Sequence, residues 1–445
     1  MNTADGWWLS AGLGAASGVA LAASRRRPWL GWICLSPLAL VILQGQPAPA
    51  ALAGALTGAF GCFPSVRSRV LRPLLAMGLV PTMANWCALA AALAWLQREL
   101  SPAWLLITLP MATVLSSLPL RVLGAPRWLN NLLACSQEPW LAIVHIARLG
   151  GDLTVSALLA LAGAVPAVLL AGTDTFPAVA VALATVLAAV SFGTWSLRSA
   201  RARVEQCSRI RVAAIVADAD VGDEPVALSA PEHCDVSATV RRYELLVERA
   251  AAEGARLLVL PEVCALVDDD GRTRWLETVS RWARAHQLSI VAPFLYIGDR
   301  PKNELMLVDP GGIVASYEKQ HPGPRIEPPR EQRTAIGPHE TGSSGGRFAV
   351  STVICVDLDY ADLVEPARRG GGILAVPSND WFDGFEQLHH RTAVWAAVLT
   401  GVSVVRATGH GISSIYDGVG RVIAQRSSQG GPGLLLADAP LSASQ

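Results

Sequence analysis

The stretch ILAVPSNDWFDGFEQLHHRTAVWAAVLTGVSVVRATGHGISSIYD, residues 373–417, sets three short apolar runs around one longer segment. The runs fall at 372–376, 402–407 and 411–416 and have the length of buried strands, whereas 385–400 has the length of a helix. A strand, a helix and then closely spaced strands imply a layered α/β domain whose sheets are covered by helices. Upstream, apolar runs at 210–216, 256–260, 288–295, 304–308 and 349–355 read as further strands, and 235–252, 273–286 and 360–369 as helices. In the first of these helices Val240, Tyr243, Val247 and Ala250 recur at helical spacing, with Asp235 or Ser237 as N-cap. Residues 320–346, rich in Pro, Gly, Arg and Glu, read as a long loop, and long loops in compact enzymes are often lids.

Three segments of this half end on residues with chemistry: LLVLPE on Glu262, SYEK on Lys319 and STVIC on Cys355. Of the 36 Lys and Arg residues only Lys302 and Lys319 are lysine. Where arginine meets almost every need for positive charge, a retained lysine suggests a compact charge with three donors in a small pocket. A cysteine attacks only as thiolate, so a reactive one needs a base or a positive field beside it. A carboxylate desolvated at the end of an apolar strand is suited to be that base and to return the proton later. Lys319, with a backbone N–H beside the nucleophile such as that of Val356, would stabilise a tetrahedral oxyanion. Each residue also has a plainer role: Cys355 as a small buried hydrophobe, Glu262 as a surface charge, Lys319 as a solvated one. Their joint placement at strand ends favours the chemical roles.

The N-terminal half has a different composition. Hydrophobic residues make up 51% of the chain, and 6–24, 28–66, 73–97, 100–120, 153–173 and 175–197 hold no Asp, Glu, Lys or Arg. A membrane-spanning helix needs about 20 mostly apolar residues, so five of these stretches are read as single spans. The longest, broken by Gln44-Gly-Gln-Pro47, is read as two, for seven in all. Small residues crowd the run from Ala50 to Gly61, which suits close helix packing. The first stretch lacks a basic leader and is followed by further spans, which argues against a cleavable signal peptide. The spans' tryptophans are read as interfacial anchors. The expected organisation is a transmembrane helical domain at 1–198, a basic junction at 199–208 and an α/β catalytic domain at 209–445. With seven spans, the arginines at 25–27, 67–72 and 121–148 and the junction lie on the side of the globular domain, which the positive-inside rule places in the cytoplasm. A net charge of zero makes nucleic acid an improbable partner. The eight cysteines show no CxxC or Cys/His spacing from which a metal site or disulfide framework can be argued.

The glutamate after LVLP, the lysine in YEK, the cysteine after TVI, and PSNDWFDG followed by HHRTAVWAAVLTGVSVVRATGHGISSIYDGVGRV resemble the nitrilase superfamily. Together with the preceding spans, the SNDWF and RATGHGISSIYD runs are similar to its apolipoprotein N-acyltransferases, as is the run from Asn131 to Ala171. The resemblance implies a multi-pass helical membrane domain followed by a nitrilase-like α-β-β-α sandwich, with Glu262 as general base, Lys319 as charge stabiliser and Cys355 as nucleophile. Glu327 falls where the family carries a second active-site glutamate, and Asp357 takes the place of an acidic residue usual there. The implied reaction needs no cofactor. Cys355 takes an acyl chain from a membrane phospholipid as a thioester, and the N-terminal amine of a diacylglyceryl-cysteine lipoprotein then receives it. Phospholipid, lipoprotein and bilayer are the implied partners, and the catalytic domain is expected outside the cytoplasm, against the count of basic loops.

Asn379, Asp380, Trp381 and Phe382 are read evenly as a pocket wall or as a turn packed on the core. His389 and His390 are read as packing or surface residues of a helix rather than catalysts. Some features depart from the family. The loop QHPGPRIEPPR lacks the usual aromatic and glycine pattern, Leu399 stands where a glutamate is usual, and the chain ends in LLLADAPLSASQ where a final transmembrane helix is common. The alternatives are a membrane-tethered carbon–nitrogen hydrolase acting on a small amide with the same three residues, and a catalytically silent membrane scaffold.

Overall fold

The computed structural model describes residues 3–62, 71–122, 124–127, 131–217, 236–323, 330–331, 337–343, 345–380 and 386–443. The chain divides into two units, Met1–Ser199 and Ala200–Gln445.

The first unit is helical: α1 (Thr3–Ser24), α2 (Ser36–Leu43), α3 (Pro47–Cys62), α4 (Leu71–Leu96), α5 (Leu105–Val122), two short helices α6 (Leu132–Cys135) and α7 (Leu141–Val144), α8 (Asp152–Leu170) and α9 (Phe176–Gln206). Among the described residues four stretches are long and apolar enough to cross a membrane: Leu79–Leu96, Pro102–Val122, Asp152–Leu170 and Thr173–Gln206. The stretch 28–66 differs from the expected pair of spans. It folds as a 3-10 turn at Pro28–Trp32, the eight-residue α2 and the 16-residue α3. At 1.5 Å per residue α2 reaches about 12 Å, well short of a hydrocarbon core about 30 Å thick. The small residues have the effect expected of them. A Cβ on Gly14 would meet Ala53 Cα at 2.4 Å, and one on Gly54 would meet the Trp86 carbonyl at 2.2 Å, so α3 lies against α1 and α4 almost backbone to backbone.

After the last turns of α9, the second unit continues with β1 (Arg209–Val216) and α10 (Val236–Ala252). Asp235 lies outside the described residues, and Ser237 sits inside the first turn of α10. Then come β2 (Leu257–Val259), β3 (Leu266–Val267), α11 (Asp269–His286), β4 (Ser289–Tyr296), β5 (Lys302–Asp309), β6 (Gly312–Glu318), β7 (His339–Ser343) and β8 (Gly346–Thr352). The unit closes with α12 (Ala361–Gly370), β9 (Ile373–Ser378), α13 (Glu386–Thr400), β10 (Ser403–Thr408), β11 (Ile412–Tyr416), β12 (Val422–Ser427) and β13 (Gly433–Pro440). Helix α11 starts four residues earlier than expected because Asp268 caps it, accepting the Gly271 N–H at 2.7 Å, with Asp269 and Asp270 in the first turn. The C-terminal LLLADAP forms β13, antiparallel to β1.

The strands make two sheets, ordered β13-β1-β2-β4-β5-β6 and β12-β11-β10-β9-β8-β7, with β3 paired to β4 beside the first. Alternation along β1 explains how they stack. Ile210, Val212, Ala214 and Val216 enter a core shared with Phe348, Val350, Ile373, Ala375, Val405 and Ala407 of the second sheet. Ala213 and Ile215 point the other way, toward Tyr243 and Val247 of α10 and Trp275, Val279 and Trp282 of α11. Helices α12 and α13 pack on the second sheet. The product is the expected α-β-β-α sandwich. The long loop expected at 320–346 is corrected in part, because its polar segment HETGS pairs with β8 as β7.

Candidate active site

Glu262 follows the end of β2, Lys319 follows β6, and Cys355 opens a 3-10 turn, Cys355–Asp359, after β8. All three are buried: Glu262 is 1% exposed, Lys319 4% and Cys355 6%. Lys319 Nζ donates to Glu262 Oε1 at 2.8 Å. The same oxygen accepts from Asn303 Nδ2 at 2.9 Å, and the Asn303 carbonyl accepts the Lys319 N–H at 2.9 Å. Asn303 thus fixes the carboxylate and the lysine backbone together. Sequence reasoning missed it, although the signal was there: Asn303 is a polar residue in phase with Leu305 and Leu307 on the inward face of β5.

The Cys355 thiol donates to the Asn379 carbonyl, with 3.8 Å between sulfur and oxygen. Burial, reinforced by the Glu262 carboxylate and the more weakly acting Asp380, pushes the thiol well above its ordinary range, and Lys319 opposes the shift. The resting sulfur is therefore protonated and needs a base when it attacks. Cys355 also adopts φ of +53°, a left-handed conformation that costs a residue bearing a Cβ free energy. Val263, next to Glu262, has φ of +54°, where a β-branched residue is a sharper outlier. Backbone strain thus sits at Cys355 and beside Glu262. Cys264 is of another kind. Its thiol donates to the Pro293 carbonyl at 3.0 Å within the hydrophobic core, and burial raises it as well.

Asp357 is fully buried and holds the segment that follows Lys319. It accepts from Tyr317 Oη at 2.6 Å, from the N–H groups of Gln320 and His321 at 2.9 and 2.8 Å, and lies 3.2 Å from His321 Nδ1. The His321 ring stacks on Tyr360 at a centroid distance of 3.4 Å. Val356 occupies the first turn after Cys355, where a helical N–H has no intrahelical partner, and its N–H donates no hydrogen bond among the described residues. Asn379 accepts the His410 N–H through Oδ1 at 2.9 Å. Asp380 is fully buried against Arg406 and His389. The Asn379 carbonyl thus touches the Cys355 thiol and Asp380 packs in the core beside it, whereas Glu327, Trp381 and Phe382 lie outside the described residues. The expectation that His389 and His390 pack is met, but neither is a surface residue: His389 is fully buried and His390 is 7% exposed. No group of three or more His, Cys, Asp or Glu residues suited to a metal ion occurs among the described residues.

A buried thiol, a buried carboxylate that can accept its proton, and an ammonium with an N–H for an oxyanion are the parts needed for acyl transfer through a thioester. Residues 225–445 match the carbon-nitrogen hydrolase family. Among solved structures, an amidase from Nesterenkonia sp. is 21% identical over 53% of this chain and 92% of its own, with a TM-score of 0.42. Nit3 of Saccharomyces cerevisiae, a member of branch 10 of the nitrilase superfamily, is 20% identical over 52% of this chain and 90% of its own, also with a TM-score of 0.42. No curated protein matches the chain. The second unit thus carries, over residues 225–445, a region that matches the carbon–nitrogen hydrolase family.

Proposed function

We propose that the protein is a membrane N-acyltransferase that carries a phospholipid acyl chain on Cys355 and delivers it to the N-terminal amine of a diacylglyceryl-cysteine lipoprotein. The observation that carries this reading is a thiol–carboxylate–ammonium set in a chain whose described residues also include four helices apolar enough to span a bilayer.

Glu262 takes the thiol proton as sulfur attacks the ester carbonyl carbon. The oxyanion that forms is met by Lys319 Nζ and the Val356 N–H. Collapse breaks the bond to the glycerol oxygen, which leaves as a lysophospholipid after receiving the proton from Glu262. In the second half the free amine attacks the thioester, Glu262 takes its proton, and the thiol is regenerated as the amide forms. An ester is exchanged for a thioester and then for a more stable amide, so no nucleotide is consumed. Acyl chains held in a bilayer are the kind of substrate that an apolar helical domain on the same chain would serve.

Incubating the purified protein with labelled phospholipid and a diacylglyceryl-cysteinyl peptide tests this. Label on the peptide α-amine supports the transferase. Turnover of small amides with no labelled peptide would instead assign the chain as a membrane-tethered amidase.

A further inference from the structure

The buried pair Asp380–Arg406 has no part in the mechanism above, yet it underlies the segment that receives the nucleophile. Arg406, on β10, is fully buried and places Nη2 2.5 Å from Asp380 Oδ1, while His389 Nδ1 lies 2.7 Å from the same oxygen. The other guanidinium nitrogen, Nη1, donates to Thr408 Oγ1 at 2.9 Å and the Ile412 carbonyl at 2.7 Å. The loop between those two residues returns to the segment Ser378–Asp380. Gly409 N–H donates to the Ser378 carbonyl, Asp380 N–H to the His410 carbonyl, and His410 N–H to Asn379 Oδ1. Gly411 passes so close that a Cβ there would lie 2.4 Å from Asp380 Oδ2.

The framed segment touches two members of the site. The Asn379 carbonyl accepts the Cys355 thiol, and the Ser378 carbonyl accepts the Glu262 N–H at 3.3 Å. We propose that Arg406 and Asp380 are positioning residues for Cys355: the guanidinium holds Ser378–Asp380 in the place where thiol and base are aligned, and cancels the negative charge that Asp380 brings to the sulfur. This rests on Cys355 being the nucleophile. Among the described residues the charged groups facing the sulfur are Glu262, Lys319 and Asp380, with Asp357 two residues along the chain. Those around Asp380 are Arg406, His389 and, further off, His390. The Asp380 carboxylate raises the Cys355 thiol, and Arg406 in turn holds Asp380 below the ordinary carboxylate range against the opposing effect of burial.

The two halves of the pair therefore act on the sulfur with opposite signs, which loosening of the fold would not produce. The test is the pH profile of iodoacetamide alkylation in the purified full-length protein, read at the Cys355 peptide by mass spectrometry. Arg406→Met should move the midpoint up and slow alkylation near neutral pH by about tenfold or more, as each unit of pKa is a tenfold change in thiolate. Asp380→Asn should move the midpoint down and speed alkylation, and the double variant should return close to wild type. Both single variants moving together, or a double variant as slow as Arg406→Met, would overturn the proposal. If Arg406→Met does not fold, Arg406→Lys should keep the wild-type midpoint and Asp380→Asn alone still decides by its sign. Alkylation involves no acyl donor, so failure of the acyltransferase reading would leave this result intact.

Discussion

Tyr317 Oη donates to Asp357 across 2.6 Å inside the sandwich, joining the strand that leads to Lys319 with the turn that begins at Cys355. Two of the three candidate catalytic segments, 36 residues apart in sequence, are thus held by one carboxylate that also accepts the Gln320 and His321 N–H groups. Asp357→Asn puts an amide N–H where these donors point. Hydrogen bonds to a charged group contribute about 1.5–3 kcal/mol each, so a stability loss of about 2 kcal/mol and at least a tenfold fall in turnover are expected. Tyr317→Phe, which leaves the backbone bonds in place, should cost about 1 kcal/mol and little activity. Thermal unfolding and initial rates of the two variants check this order.

Lys319→Arg keeps the charge but replaces a compact ammonium with a planar fork in a buried space already shared with Asn303 and Glu262. Loss of an oxyanion donor costs about 100- to 1000-fold in turnover, and the arginine variant is expected to fall in that range. Activity near wild type in a rate assay would remove the link between the scarcity of lysine and its role.

Cys355→Ala and Cys355→Gly should both be inactive, but they differ in stability. The φ of +53° strains alanine and not glycine, so the glycine variant should be the more stable by about 1 kcal/mol. Parallel denaturation of the two variants reads the difference directly.

Burial holds the His390 imidazole down to about 4, the backbone hydrogen bond to the Glu386 carbonyl opposing it. In the unfolded chain this histidine takes up a proton near pH 6.5, whereas in the native state it stays neutral until about pH 4. Between these values the unfolded state binds more protons, so stability falls as the pH falls, by about 3 kcal/mol at most for this group. His390→Gln should lose less stability than wild type between pH 7 and pH 5 in thermal melts.

Much of the second unit was legible in its sequence because its strands are apolar runs of strand length and its helices carry a clear period. The runs around Ala213, Leu258, Val291, Ala375 and Val405 all became strands. Strand β7 was not legible, since HETGS has no apolar alternation and pairs on one side only, as an edge strand of its sheet. In the helical unit, an absence of charge marked apolar segments but did not fix their length. Pro28, Pro37, Gly45 and Pro47 divide a 39-residue stretch into pieces of which α2 has eight residues. Glu262 and Cys355 stood out because each ends an otherwise apolar segment, and Lys319 because it is one of only two lysines in the chain. Arg406 did not, because a charge within a strand reads as exposed until its partner Asp380, 26 residues earlier, is seen buried against it.

Acyl transfer through Cys355 requires its sulfur to receive an acyl group from a membrane lipid. Mass spectrometry of the Cys355 peptide after incubation of the purified protein with a phospholipid bearing an isotopically labelled acyl chain tests it directly. The expected result is a labelled, hydroxylamine-sensitive thioester on Cys355 that disappears when a diacylglyceryl-cysteinyl peptide is added. An unmodified Cys355 in a protein that still delivers label to that peptide would contradict it.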